Sequence, residues 1–156
     1  MMDPLSKELD GLGLVQWIES SEEAYNKWLT NLILAEHNGH LYYRALSESG
    51  AVPNWLKSEV RRLSQQEFVH YSLVTGLAQQ RGLILPQITA PAPSLSLEKV
   101  DLDENRAVMR FWNILQHSRN SEAIKIARRI LRDEEYHTGV TAKLLEICGP
   151  IEYKQF

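Results

Sequence analysis

The fold of this chain is decided by the stretch Arg132-Asp133-Glu134-Glu135-Tyr136-His137, in which a glutamate and a histidine stand three residues apart inside a strongly helical run. On a helix, residues at this spacing share a face, so Glu134 and His137 point the same way. The other positions on that face are mostly small or apolar: Ala123, Ala127, Ile130, Thr141, Leu144 and Cys148. The stretch therefore predicts a carboxylate and an imidazole that project from a helix into a core.

The same pattern recurs earlier in the chain. Glu67 and His70 form a second Glu-x-x-His pair on an apolar helical stripe. Each pair also has an upstream glutamate on an apolar stripe, since Glu36 precedes Glu67 by 31 residues and Glu104 precedes Glu134 by 30. The sequence therefore predicts two matching helical hairpins.

Residues equidistant from the turn of an antiparallel hairpin lie at the same height, and both hairpin midpoints are turn-like: residues 49–53 and 118–121. Four carboxylates and two imidazoles should therefore meet at one level of a four-helix bundle. Burying a carboxylate without compensation costs several kcal/mol of hydration free energy. Two divalent cations would cancel the four negative charges, and protonation of some carboxyl groups in a metal-free protein is the alternative.

Composition indicates one globular domain over residues 1–156, with an N-terminal extension (1–21), a four-helix bundle (22–148) and a C-terminal tail (149–156). A net charge of -3 gives no basic field, so nucleic acid is not an expected partner. No apolar run approaches the about 20 residues that span a bilayer, and no signal segment opens the chain, so we expect no membrane partner and a cytoplasmic location. The single Cys148 is expected to be a small apolar core filler.

Capping and stop signals place the four long helices. They should run from Ser20 or Ser21 to about Ser47, over 55–81, from Ser94 or Ser96 to about Ser118, and from Ser121 to Gly149. The proline-rich connector 83–94 could span about 37 Å in extended form, while a helix of about 26 residues is about 39 Å long. The predicted fold is therefore an all-α antiparallel four-helix bundle with one long crossover between helices 2 and 3. Residues 1–21 should form a short helix or two outside the bundle, or a dimer contact.

Glu on two helices and Glu-x-x-His on the other two resembles the site of the ferritin-like dimetal carboxylate superfamily, which includes bacterioferritin, rubrerythrin and the ribonucleotide reductase small subunit. The resemblance covers nearly the whole chain. It implies two iron ions, although manganese or a mixed pair would suit the same ligands. It also implies three pairs of metal ligands: Glu36 and His70 on one metal, Glu104 and His137 on the other, and Glu67 and Glu134 bridging both.

Two further residues are candidates to orient the histidines by hydrogen bonds to the ring nitrogens that do not face the metals. Asp133 is similar to an Asp that hydrogen-bonds the other ring nitrogen of the second-helix histidine, so it would orient His70, and Gln66 would do the same for His137. For Asp133, a solvated acid among neighbouring arginines is the alternative.

Tyr43 follows Glu36 by one heptad and is the candidate catalytic residue, because it could hydrogen-bond a ligating carboxylate across the bundle. A buried tyrosine with another acceptor is the alternative. His40, on the flank of the same helix, is either a hydrogen-bonded surface residue or one that orients or ligates the metals. His37 is expected to be a solvated side chain.

Departures from individual families narrow the resemblance. Phe68 follows Glu67 where bacterioferritin has a haem-binding Met, so no haem is expected. Ala107 stands where rubrerythrin has a further carboxylate, and one Cys cannot supply a rubredoxin site. Small residues at Gly39 and Ala107 would leave space beside the metals for dioxygen or a small substrate, or would allow close helix packing.

The expected function is that of a non-haem di-iron oxidoreductase: an oxidase or oxygenase that uses dioxygen or peroxide on an unknown small-molecule substrate or reductant. A ferroxidase or iron store of bacterioferritin type is one alternative, and a metal-free helical interaction module is another. A metal-dependent hydrolase is weaker, because nothing in the sequence supplies a separate phosphate or carbonyl clamp. Because storage needs a hollow cage, the oxidase prediction favours a dimer among possible homo-oligomers.

Overall fold

The computed structural model describes residues 11–88 and 96–151, and the fold is all-α, as the sequence predicts. One short helix precedes four long ones: α1 (Leu12–Ser20), α2 (Glu22–Glu48), α3 (Lys57–Gln80), α4 (Leu97–His117) and α5 (Ser121–Cys148). A single 3-10 turn, Asn54–Leu56, leads into α3. None of the helices in the described ranges is long and apolar enough to cross a membrane.

Side-chain caps set the starts of α2, α4 and α5 close to their predicted positions. The Ser21 hydroxyl accepts a hydrogen bond of 3.0 Å from a backbone N–H in the first turn of α2. Ser96 caps α4 in the same way, whereas Ser94 lies outside the described residues. The Asn120 side chain caps the start of α5, and Gly149, whose φ of +69° suits glycine, follows its last residue.

Contacts at one end of the molecule show in which directions the helices run. Arg81, just after α3, lies 3.4 Å from a carboxylate oxygen of Glu22 at the start of α2. Tyr25, also near the start of α2, donates a hydrogen bond of 2.6 Å to Glu122 at the start of α5. The end of α3 and the starts of α2 and α5 therefore share one end.

Contacts at the opposite end place the start of α4 there. Lys143, late in α5, lies 3.4 Å from Glu59 in the first turn of α3, and the Leu97 backbone N–H donates to the Ile151 carbonyl. α3 and α4 therefore run in the same direction, and the chain between them returns from one end to the other. Residues 89–95 of this connection lie outside the described residues.

The helices pack as two hairpins, α2 with α3 and α4 with α5. The hairpins meet along α3 and α5, and α1 contacts both α2 and α4. Within the described ranges, α2 and α4 have no pair of Cα atoms within 8 Å. This separation leaves a gap on one side of the molecule.

Hydrophobic residues form two buried clusters at different heights along the helices. One cluster contains Leu29, Val74, Phe111 and Ile126, and the other contains Leu46, Leu63, Leu97 and Leu144. The six predicted metal ligands fall between these clusters in every long helix. A polar layer therefore divides the core.

The N-terminal extension contributes one described helix, α1, which is part of the core. Its Leu14, Val15 and Ile18 are buried, and the Glu19 carboxylate accepts hydrogen bonds from Ser118 and from backbone N–H groups in the α4–α5 turn. Those hydrogen bonds outweigh the small effect of burial and hold the pKa of Glu19 below its usual value. The rest of the extension, residues 1–10, and most of the tail, 152–156, lie outside the described residues.

Candidate metal centre

All six predicted metal ligands are buried side by side in the polar layer. Their exposed fractions lie between 0% for the two histidines and 8% for Glu104. α2 and α4 each supply one glutamate, whereas α3 and α5 each supply a glutamate and a histidine one turn apart. The amphipathic stripe of each helix places these side chains towards the other helices.

The six residues form two groups of four, within each of which the ligand atoms lie within 4.8 Å of one another. The first group is Glu36, Glu67, His70 and Glu134, and the second is Glu67, Glu104, Glu134 and His137. Glu67 and Glu134 belong to both. These buried residues could therefore hold metal ions at two adjacent positions that share two carboxylates.

Asp133 orients the His70 ring from behind. His70 Nε2–H donates to Asp133 Oδ2 at 2.9 Å, which turns Nδ1 towards Glu36 Oε2 at 3.1 Å. Arg129 Nη1 donates to the same Asp133 oxygen at 3.1 Å. Burial alone would raise the pKa of Asp133, but His70 and Arg129 outweigh it and hold that pKa below its usual value. Asp133 is therefore ionised, and by accepting the Nε2 hydrogen it leaves Nδ1 of a neutral His70 to face the carboxylate layer.

Gln66 connects the second histidine to the same network. Its Nε2 donates to Asp133 Oδ1 at 3.0 Å, and its Oε1 lies 3.3 Å from His137 Nε2. The amide oxygen can only accept, so His137 carries its hydrogen on Nε2 when neutral. The chain His70, Asp133, Gln66 and His137 therefore directs both Nδ1 atoms into the carboxylate layer.

Two buried ligand atoms lack hydrogen bonds in the described part of the chain: Glu134 Oε1 and His137 Nδ1. Glu134 Oε1 lies 3.5 Å from His70 Nδ1 and 3.7 Å from His137 Nδ1, between the two groups. Glu67 Oε1 is 2.9 Å from His137 Nδ1, yet the pair lacks the direction of a hydrogen bond. Because a buried unsatisfied polar atom costs about 1–3 kcal/mol, a cation at each group fits these residues.

Crowded charges shift the proton affinities of the layer. Burial and the neighbouring carboxylates raise the pKa of Glu67 and of Glu134 well above the usual value for glutamate. Burial alone would lower the pKa of His137, but Glu104 and Glu134 outweigh it and raise that pKa. Burial would raise the pKa of Glu104, whereas His137 and Tyr43 hold it below its usual value. Without cations, the layer therefore retains protons.

We expect the metal-free protein to lose stability as pH rises from 5 to 8. A carboxyl group with a raised folded pKa binds more protons than in the unfolded chain, so Glu67 and Glu134 each reduce the free energy of unfolding by up to about 1.4 kcal/mol per pH unit above about pH 4.3. His137 acts in the same direction above about pH 6.5, while Glu104 and Asp133, with lowered pKa values, contribute no slope in this range.

Urea unfolding of chelator-treated protein at several pH values measures this slope. The metal-loaded protein is the comparison, and its stability should rise with pH, because metal ligation releases the same protons. A flat or rising curve for the metal-free protein would contradict the assigned shifts.

Tyr43 contacts the layer directly. Its buried hydroxyl donates a short hydrogen bond to Glu104 Oε1. Burial and the charge of Glu104 raise the pKa of Tyr43 well above its usual value, so the phenol stays protonated. Tyr43 therefore lies where the sequence places it, against a predicted ligand.

His40 forms no hydrogen bond or ion pair with the six described ligands. Its Nδ1 lies 2.9 Å from the Ser64 hydroxyl, and its ring packs against Phe68 with centroids 5.2 Å apart. The structure therefore matches the hydrogen-bonded flank residue rather than a residue that orients or ligates the metals. His37 is only partly solvated, since its ring lies 5.2 Å from that of Tyr71.

The small residue at Gly39 has a definite neighbour. A Cβ added there would lie 2.7 Å from Glu67 Oε2 and 2.9 Å from its Cδ. Gly39 therefore leaves space that the shared carboxylate of Glu67 occupies. Together with Ala107, it also lines a cavity of about 440 Å³ between α2 and α4, which reaches all four glutamates of the layer.

Asp133→Ala should weaken metal binding about 10- to 100-fold, because loss of a carboxylate behind a ligating histidine typically has this effect. His70 would then lose the bond that fixes its tautomer. Competition with a metallochromic chelator measures the affinity, and Glu135→Ala, which removes an exposed acid from the same helix, is the control. Equal affinities in the two variants would contradict the orienting role.

Three residues around the site are not among the sequence-based candidates. Arg129 could have been inferred from its spacing of four residues before Asp133 on one helix. Asn31 and Arg106, which line the cavity, carry no comparable signal.

No protein-family model, curated protein or solved structure matches the chain.

Proposed function

We propose that this protein is a ferritin-like dimetal carboxylate protein, with iron as the metal, that reduces or activates dioxygen to oxidise a small organic substrate. The observation that carries the proposal is the pair of four-residue groups that share Glu67 and Glu134. The helix directions, with one long return between α3 and α4, also suit a four-helix bundle of this type. A cytoplasmic location and a homodimer belong to the same proposal.

Each residue of the layer has a role in this proposal. Glu36 and His70 would hold one iron, Glu104 and His137 the other, and Glu67 and Glu134 would bridge. Two ferrous ions, when bound, would supply electrons for the reduction of dioxygen. Asp133 and Gln66 would keep the histidine Nδ1 atoms aimed at the metals, because their hydrogen bonds to Nε2 are already in place.

Tyr43 is the proposed catalytic residue. It stays protonated in its buried setting and donates to Glu104, so it would hold a proton beside one of the two metal positions. The phenol also occupies the wall of the cavity next to this carboxylate. Dioxygen or peroxide would reach the glutamates from the same side, whereas the histidines come from α3 and α5.

The cavity supports an oxidase or oxygenase over an iron store. Its volume of about 440 Å³ lies in the range of about 300–1,000 Å³ that is typical of small-molecule sites. Its lining includes Trp28, Leu32, Phe111 and Ile114, which suit an organic substrate better than a hydrated ion. A bacterioferritin-like ferroxidase remains the second candidate, on the ligand set alone.

Metal reconstitution tests the proposal. The protein is loaded anaerobically with ferrous iron, its metal content is measured by mass spectrometry, and spectra are recorded as dioxygen is admitted. We expect two irons per chain and a near-ultraviolet absorption that develops with oxygen. A folded protein that retains no metal would refute the proposal, and a hollow cage of many subunits in light scattering would favour storage.

A further inference from the structure

The gap between α2 and α4 forms an amphipathic cavity. Towards α1 it is apolar, lined by Leu14, Trp28, Leu32, Phe111 and Ile114. Its α4 side carries four charged residues at helical spacing: Lys99, Asp103, Arg106 and Arg110. An occupant of this cavity would therefore meet an apolar region and a charged rim.

The charges on the rim are not all compensated. Lys99 Nζ lies 2.8 Å from Asp103 Oδ2, so these two residues neutralise each other. Arg106 is half-buried and has no carboxylate within 4.0 Å in the part of the chain that the structure describes. A guanidinium that is partly withdrawn from water is stabilised by an anionic partner, so this position favours the binding of an anion.

A second donor lies across the gap on α2. Asn31 lines the same cavity, and its buried Nδ2 has no hydrogen-bond acceptor among the described residues. α2 and α4 run in opposite directions, and Asn31 and Arg106 both lie on the α1 side of the glutamate layer. The rim therefore offers a guanidinium and an amide N–H with no acceptor of its own.

We propose that Arg106 and Asn31 bind the carboxylate of an amphipathic substrate whose apolar body fills the cavity between α2 and α4. A guanidinium presents two parallel N–H groups that match a single carboxylate, and the amide supplies a third donor. A medium-chain alkanoate has the required chemistry. The role as substrate rests on the proposed function, whereas the binding itself can be measured independently of turnover.

Calorimetric titration of the metal-loaded protein with octanoate and with 1-octanol tests this specificity. We expect octanoate to bind at least about tenfold more tightly than the alcohol, because only the acid can pair with Arg106. From hexanoate to decanoate, affinity should rise about fourfold per added CH₂ as the apolar wall is covered. Arg106→Gln should abolish the preference for the acid and leave the affinity for octanol unchanged. Asn31→Ala should reduce the preference for the acid severalfold.

Arg128→Gln is the matched control, since Arg128 is an exposed arginine on α5 that does not line the cavity. If octanoate does not bind better than octanol, or if its preference survives Arg106→Gln, the inference is wrong. Metal content of every variant separates the two proposals. A loss of metal in Arg106→Gln would overturn the inference, because Arg106 would then serve the charge of the glutamate layer. Arg106-dependent octanoate binding in a protein that takes up no metal would refute only the proposed function.

Discussion

Glu134→Ala is expected to remove both metal ions at once. Glu134 belongs to both four-residue groups, and its Oε1 lies within 3.7 Å of both histidine Nδ1 atoms, so the substitution removes a ligand from both positions. Glu36 belongs to one group only. Metal content per chain should therefore fall from two to zero in Glu134→Ala and to about one in Glu36→Ala.

The adjacent Glu135→Ala is the control for this series. Glu135 is exposed and accepts a hydrogen bond from Trp112 instead of contacting the layer, so this variant should retain both metals. Glu134→Gln shows whether metal loss reflects unfolding: without metal at pH 7 it should be at least as stable as the wild type, because it removes a buried acid with a raised pKa. Equal metal content in Glu134→Ala and Glu135→Ala would refute the shared role of Glu134.

Gly39→Ala is expected to weaken metal binding about 10- to 100-fold, the usual effect of disturbing the groups that position a metal ligand, because the added methyl group displaces the Glu67 carboxylate. The added Cβ would lie 2.7 Å from Glu67 Oε2, and the carboxylate, as the end of a flexible side chain, would move away. The carboxylate can move at little cost, so the free energy of unfolding of the metal-free protein should not fall and should rise by up to about 1 kcal/mol through helix propensity. Chelator competition and thermal unfolding measure these two effects separately.

Gly76→Ala is the matched substitution for this test. Gly76 also lies within a long helix, but a Cβ there would meet no atom within 4 Å. It should therefore leave metal binding unchanged and stabilise the helix by up to about 1 kcal/mol. If Gly39→Ala binds metal as tightly as Gly76→Ala does, the close approach to Glu67 has no role in the site.

The ligand set could be anticipated because a helix has a rigid period. Once Glu67 and His70 occupy an apolar stripe, their direction follows from 3.6 residues per turn. The matching separations of Glu36 from Glu67 and of Glu104 from Glu134 then place the ligands of all four helices at one height in the bundle. Asp133 could be inferred only through a family resemblance, because a carboxylate among arginines has a solvated alternative that spacing does not exclude.

Features that depend on how separate helices pack against one another could not be predicted from helical spacing. The orientation of His40 is decided by Ser64 and Phe68 on another helix, which its own helical position does not reveal. The cavity arises because α2 and α4 stay apart, and the stripes of Trp28 and Phe111 look like ordinary core. α1 likewise docks through contacts that are distant in sequence, such as Glu19 with Ser118.

The sparse contact between the two hairpins gives the candidate ions a mechanical role. Each four-residue group takes ligands from both hairpins, while in the described part of the chain close backbone packing between the hairpins occurs only where α3 meets α5. Bound ions would therefore crosslink the two hairpins at the middle of the molecule. Amide hydrogen exchange along α2 and α4 should report hairpin separation in the metal-free protein, a fluctuation that metal loading would suppress without any change in the fold of either hairpin.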